Sequence, residues 1–505
     1  MKPAKKFRLL VFTAGVFVPL RWFLWLYYRA AGLASAWAAR FTHGAAALFI
    51  HRGWTRGDWS PSASDLDLFL ALDERRPGAA KKWAARYSGL KKIFPMLGEW
   101  LSASGPELDF YLRFGDLRAP EFCATAKKLC GDANASPRYE ISPDKLSLDI
   151  WNECYHAHAR LCGLFFSPGE SDALARYGAK KSLLDIQRYS ACSAQSLVPA
   201  GRFETERKLP PDSSLKKLLS ALDISSEGEP LLEPLLYSAA TLEARATEFL
   251  ANQTPRKSLK PSALIRASEH ECQANDKFCA ELSKLLGPQF LGAITDTLFE
   301  SYFVFKLDDK EQAAHTLAAF KNIALRHPAL DGSKIILGDN SMRLLSLSLK
   351  PEDFAACGCA ETNSDTAVGV SGSGELAQHR RAYFLNALDG GWNMPAAEPL
   401  RKEAFARMLA SWRYDAYQGA AGEQRGQRLL FYWLPKAAHF YLFYAKQLEI
   451  SCYPAEPLLE ELARALPETG PALKRILESG DSASGEYACA ELVQSLNEKT
   501  LAALK

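Results

Sequence analysis

Phe49-Ile-His-Arg-Gly-Trp-Thr-Arg-Gly-Asp58-Trp-Ser-Pro-Ser-Ala-Ser-Asp65-Leu-Asp67-Leu-Phe-Leu-Ala-Leu72 is the stretch on which the reading of this chain turns. Ala46 to Ile50 is an apolar strand, Gly53 makes a turn into a short polar loop or helix, and Leu66 to Leu72 is a second strand entered through Asp65-Leu-Asp67. Side chains alternate across a strand, so Asp65 and Asp67 share a face. Adjacent carboxylates repel unless a cation lies between them, and a donor set made only of oxygen suits Mg²⁺ rather than zinc. The plainer reading of Asp-Leu-Asp is a solvated strand end.

These residues resemble the nucleotidyltransferase superfamily typified by DNA polymerase β and the aminoglycoside nucleotidyltransferases. Its signature is a hydrophobic strand, a Gly-Ser or Gly-Gly turn, nine to thirteen residues, then Asp-hydrophobic-Asp-hydrophobic, often after Ser. Here Gly53 precedes Asp65-Leu66-Asp67-Leu68, with Ser64 in front. Thr55-Arg56-Gly57-Asp58-Trp59-Ser60-Pro61 is similar to the Ala-Arg-Gly-Asp-hydrophobic-x-Pro run of bacterial members. The likeness covers about the first quarter of the chain. One departure is that Gly53 is flanked by Arg52 and Trp54, so the small hydroxyl residue beside the turn is absent. Backbone N–H groups of a glycine turn still suit a phosphate, and Arg52 or Arg56 adds charge.

The resemblance implies a third carboxylate on a neighbouring strand. Glu107-Leu-Asp109-Phe-Tyr-Leu-Arg-Phe114 alternates as a strand would, which nominates Asp109, with Glu107 as the fallback. Asp65, Asp67 and Asp109 would then hold two Mg²⁺ ions, with Arg52, Gly53, Arg56 and Ser64 around the nucleotide of an NTP, ATP being the first choice. An acceptor hydroxyl would attack the α-phosphorus in line and pyrophosphate would leave.

Composition bounds the rest. The chain has 505 residues, of which 48% are hydrophobic, enough for several cores. Net charge is +3, but residues 1 to 60 carry nine Lys/Arg against Asp58 alone. That segment is +8, which leaves −5 for the remainder and does not favour a dedicated nucleic-acid binder. Eleven scattered cysteines without paired zinc spacing fit a reducing, cytoplasmic setting. Cys154, His158 and Cys162 sit at i, i+4 and i+8, a spacing that cannot close on one tetrahedral ion and reads as core.

Lys2, Lys5, Lys6 and Arg8 precede a mostly apolar run from Leu9 to Tyr28. Arg21, Arg29 and Arg40 fall along one side of a helix over residues 20 to 42, which predicts a helix packed on the first domain. Residues 9–42 are also the candidate contact with a membrane surface.

Residues 80 to 101 read as a basic helix. Helical patterning continues over Pro120–Cys130, Leu148–Phe165 and Tyr177–Tyr189, then Leu231–Leu250, Asp276–Leu286, Phe290–Phe305, Lys310–Arg326 and Glu403–Tyr417. In the resembled family a helical domain closes over the nucleotide, and Lys180-Lys181-Ser-Leu-Leu-Asp-Ile-Gln-Arg188-Tyr is similar to a helix found there. Lys180, Lys181 or Arg188 is thereby nominated to reach the triphosphate, Lys181 foremost.

The expected architecture is α+β. It has a nucleotidyltransferase domain with a small mixed sheet over 1–118, a helical domain over 119–200, a linker with one helix over 201–262 and an α-helical region over 263–505. The expected activity is Mg²⁺-dependent transfer of an NMP to a hydroxyl of a small molecule or protein. The alternatives are a nucleotide- or partner-binding module without turnover, and a template-independent RNA nucleotidyltransferase.

Overall fold

The computed structural model describes residues 18–60, 64–73, 78–135, 139–166, 173–223 and 231–252. Beyond these it describes 290–295, 301–305, 310–324, 334–337, 397–419, 433–448, 455–479 and 483–504, with 284, 340, 341, 344 and 429. The sequence expectations for 276–283 and 285–286 lie outside the described residues.

The molecule is α+β. Helix α1 (Val18–Arg40) leads into β1 (Ala45–His51), the turn at Arg52–Trp54 and β2 (Leu66–Leu72). Then come α2 (Ala79–Ile93), β3 (Leu97–Ser104), α3 (Gly105–Phe114), α4 (Arg118–Thr125) and β4 (Lys127–Gly131). The four strands form one mixed sheet in the order β3-β2-β1-β4, with β1 antiparallel to both its neighbours and β2 parallel to β3.

Alternation sorts each strand's side chains onto two covered faces. Leu48, Ile50, Leu66, Leu68, Leu70 and Trp100 pack against Tyr28 and the alanines of α1 and against Trp83 and Tyr87 of α2. Phe49, Phe69, Ala71 and Ala103 pack on the other side against Leu108, Tyr111 and Leu112 of α3 and Phe122 of α4. Leu66, Leu68 and Leu70 are completely buried, and each contributes about 1.5–3 kcal/mol of transfer free energy. That burial fixes the register of β2 and so the position of the two carboxylates at its start.

Three expectations are corrected here. Residues 97–104 form a strand, not the end of the predicted helix over 80–101. Residues 107–114 belong to helix α3, not to a strand. The cause of the second is local: Ser104-Gly-Pro-Glu107 is a capping box with proline in the first turn, and the Glu107 carboxylate accepts the Ser104 N–H at 2.7 Å. Cys130, expected on a helix, lies in β4.

Helices α5 (Pro143–Phe166), α6 (Ala173–Ser190), α7 (Arg202–Lys208), α8 (Ser214–Asp223) and α9 (Leu232–Ala251) follow. A core that includes Trp151, Leu161, Phe165, Leu183 and Leu235 joins α5, α6, α8 and α9. Within it His158 shares a hydrogen bond with Ser238 at 2.7 Å and its other nitrogen lies 3.4 Å from Cys162, so the Cys/His cluster is part of the core.

Farther on, β5 (Phe290–Thr295), β6 (Ser301–Phe305) and β7 (Lys334–Leu337) make a three-stranded sheet, with α10 (Lys310–Ala324) between the last two. Where a helix was expected over Phe290–Phe305, the described residues are two antiparallel strands. Aromatic and β-branched residues dominate Tyr302-Phe-Val-Phe305, a composition that suits a pleated surface better than a helix. Helices α11 (Ala397–Tyr414), α12 (Leu434–Lys446), α13 (Ala455–Ala465), α14 (Gly470–Ser479) and α15 (Ala483–Ala503) share a last core built on Phe405, Trp412, Phe440 and Val493.

Candidate active site

Asp65 is exposed and Asp67 half-buried at the open end of β2, on the face opposite Leu66 and Leu68. Strand β3 runs beside them, pairing Leu66 with Leu97 and Leu68 with Trp100 across an irregularity. Leu97 and Trp100 both belong to the α1/α2 face, so the alternation of β3 is broken between them, at Gly98 and Glu99. Charge on Asp67, Asp65 and Glu99 alike opposes ionisation of the nearby Tyr87 hydroxyl, whose pKa is raised first of all by burial. Asp65, Asp67 and Glu99 are thus all within electrostatic reach of that hydroxyl.

Gly98 makes that approach feasible. A Cβ there would lie 2.9 Å from the Cβ of Asp65 and 3.4 Å from the Leu66 carbonyl. Any larger residue would push the two strands apart under the carboxylates.

Asp109 is placed elsewhere, on the exposed surface of α3. Its fallback, Glu107, is buried and committed: it closes the capping box and pairs with Arg413 at 2.7 Å. Glu99, which the sequence reading did not nominate, is an acid on the strand next to Asp65 and Asp67. The strand itself was signalled by Leu97-Gly-Glu-Trp-Leu-Ser-Ala, whose alternation runs from Trp100 to Ala103.

The turn after β1 is unusual. Arg52 has a φ of 62°, a left-handed conformation that suits glycine, and its guanidinium pairs with Asp67 at 3.5 Å. Gly53 follows within the same short helical turn. His51 stands directly across from Asp67 in the β1–β2 register. Its ring lies edge-on to Phe69 and Phe122, and its Nε2 is buried without a hydrogen-bond partner. Burial and then the Arg52 charge hold its pKa well below the usual histidine value, so the ring is neutral.

Arg56 is buried among Asp58, 3.3 Å away, and Glu121. Burial first, and Arg188 next, push its pKa down to about 10. Arg188 also approaches Glu121, at 3.4 Å, and bonds Asp185 at 2.7 Å. Asp185 accepts from Arg202 and Arg160 as well. Burial works against its ionisation, yet Arg202, Arg188 and Arg160 hold that carboxyl far below the ordinary range. These residues clamp α6 onto the loop that carries Arg56. Ser64 is buried too, its hydroxyl accepting the Ser60 N–H at 3.0 Å, while Tyr177 of α6 donates to the Ser60 hydroxyl at 2.7 Å.

Lys181 differs from its neighbours. Lys180 is tied to Glu206 and Asp223 at 2.9 and 3.0 Å, whereas the side chain of Lys181 makes no hydrogen bond or ion pair with any described residue. It lines a cavity of about 400 Å³ together with Asp58, Arg176, Tyr177, Arg202 and Phe203. Burial and then Arg202 push its pKa down to about 8, and Asp67 is close enough to oppose that shift. Asp58, Glu206 and Asp223 share this lining with Arg176, Lys180, Lys181 and Arg202, so the cavity is of mixed charge and Lys181 is the cation there suited to meet an anionic ligand.

Among the described residues no group of three or more His, Cys, Asp or Glu side chains is arranged to hold a metal ion. The donors at this end of the sheet are nevertheless all carboxylate oxygen, the chemistry that Mg²⁺ prefers. The chain matches no family model, no curated protein and no solved structure.

Proposed function

We propose that the chain is a Mg²⁺-dependent nucleotidyltransferase that moves an NMP from an NTP, with ATP the first donor to try, to a hydroxyl of a small molecule or protein. The observation that carries this reading is the Asp65/Asp67 pair at the start of a buried strand, with Arg52 against Asp67 and strand β3 alongside. Asp65 and Asp67 would hold Mg²⁺, whose contribution when bound is to neutralise charge on the triphosphate. Glu99 takes the place given to Asp109 and accepts the proton of the acceptor hydroxyl. Lys181 binds triphosphate oxygens, and Arg52 exchanges its contact with Asp67 for one with a phosphate. Arg56 and Ser64 act indirectly, by holding the loop between β1 and β2.

Pyrophosphate release tests this. Each NTP is incubated with Mg²⁺ and a panel of hydroxyl acceptors comprising aminoglycosides, Ser/Tyr peptides and RNA. Release that disappears in Asp67→Asn supports the proposal. A second reading, a binding module without turnover, rests on the Arg52–Asp67 pair, in which a guanidinium stands against the carboxylate that a metal would use. Tight binding of NTP with no release across the panel would favour it.

A further inference from the structure

Helix α1 wears its apolar residues on the wrong side for a packed helix. Tyr28, Ala31, Ala36 and Ala39 anchor one side in the core of the sheet domain. The outward side carries Trp22, Phe23, Leu33 and Trp37, exposed by 57, 61, 63 and 66%, and Phe41 continues the ridge just past the helix end. Ala30 and Leu26 are exposed between them, so the ridge spans four turns without a polar break.

The charge around the ridge has one sign. No Asp or Glu occurs before Asp58, and Arg29 and Arg40 border the ridge on the helix itself. Helix α2 packs beside α1 and carries Lys81, Lys82, Arg86, Lys91 and Lys92 with no acidic residue over its length. The Tyr27 hydroxyl donates to the carbonyl of Ile93, itself 63% exposed, so the end of α2 joins the same surface. At the start of α1, Arg21, Trp22, Trp25, Trp54 and Trp59 line an open cavity of about 490 Å³. Indole rings beside guanidinium groups suit the boundary between lipid headgroups and acyl chains.

We propose that this face of α1 docks on an anionic phospholipid surface, lying in the interface rather than crossing it. None of the described helices is long and apolar enough to cross a membrane. A second copy of the chain is a poor occupant, because a two-fold contact would set this cationic border against itself. A lipid surface of opposite charge covers the apolar ridge and satisfies the border together. The inference stands independently of the nucleotidyl-transfer reading.

Co-sedimentation of the full chain with vesicles tests it. Wild-type protein should pellet with phosphatidylcholine/phosphatidylglycerol vesicles at least tenfold more than with phosphatidylcholine alone, less so as salt rises, with a blue shift of indole emission. W22E/F23E/W37E alters only exposed positions and should lose this binding with unchanged circular dichroism. K81Q/K82Q/K92Q should keep the fold and flatten the salt dependence. Failure of wild type to pellet with either vesicle, equal binding to both, undiminished binding by the triple glutamate variant, or a wild-type dimer that this variant dissociates would each overturn the proposal.

Discussion

Arg52 combines a left-handed backbone with an ion pair to Asp67, and the two have opposite energetic signs. A non-glycine residue held in that region costs about 1–3 kcal/mol, whereas a half-exposed pair returns about 0–1 kcal/mol. Arg52→Gly should therefore raise the melting temperature and, by freeing Asp67, tighten Mg²⁺ binding measured by calorimetry. Gly98→Ala should do the reverse: its new methyl meets the Asp65 Cβ and the β2 backbone, costing about 1–3 kcal/mol, with Mg²⁺ affinity falling as well. Lys181 gives a pH test. Its folded pKa, near 8, lies below its ordinary 10.5, so the fold favours the neutral amine. Stability is penalised below about pH 8 and recovers as pH rises toward 10.5. Triphosphate binding has the opposite preference, needing the ammonium form. NTP affinity of wild type should weaken between pH 7 and 9, while Lys181→Met binds about tenfold more weakly at pH 7, roughly 1.4 kcal/mol, with little pH dependence and a higher melting temperature.

The β1–turn–β2 element was legible because its determinants are local: an apolar run, a glycine, and alternation entered through Asp65 and Asp67. The next element was legible in part. Leu97 to Leu101 was read as the end of the basic helix although it lies in a strand, and Glu107 to Phe114 was read as a strand on its alternation although it is helical. The capping box at Ser104–Glu107 separates them, since it makes a helix start where a strand seemed to begin. Glu99 was hidden by that error, and its relation to Asp67 depends on a parallel pairing that links residues 31 or more positions apart. The Arg56–Glu121–Arg188–Asp185 network was invisible for the same reason. On α3, Glu107 is buried against Arg413, 306 residues away in sequence. Arg413→Ala would leave that carboxylate buried and unpaired, and chemical denaturation should register a loss of about 3–5 kcal/mol.

At the scale of the molecule, packing crosses the linear division at residue 262. Helix α11 gives Ala406 and Ala410 to the core under β3 and α3, and Phe405 and Trp412 to the C-terminal core. Tyr414 lies edge-on to Trp100 at 5.9 Å, and Gln418 bonds Trp100 and the Ala84 carbonyl. Residues 1–262 expressed alone should thus lose the cooperative unfolding of the full chain, because that fragment exposes apolar surface on β3 and α3. The site and its lysine cavity likewise draw on separate elements, β2 and β3 for the carboxylates and α6 for Lys181. The most direct measurement is the thermal stability of the full chain with each of the four NTPs, with and without Mg²⁺, in wild type and in Asp65→Asn/Asp67→Asn. A ligand that binds only the folded state at a hundred times its Kd stabilises it by about 2.7 kcal/mol. The account predicts a Mg²⁺-dependent rise with at least one NTP that vanishes in the double variant. No rise with any NTP, or a rise that survives loss of both carboxylates, would contradict it.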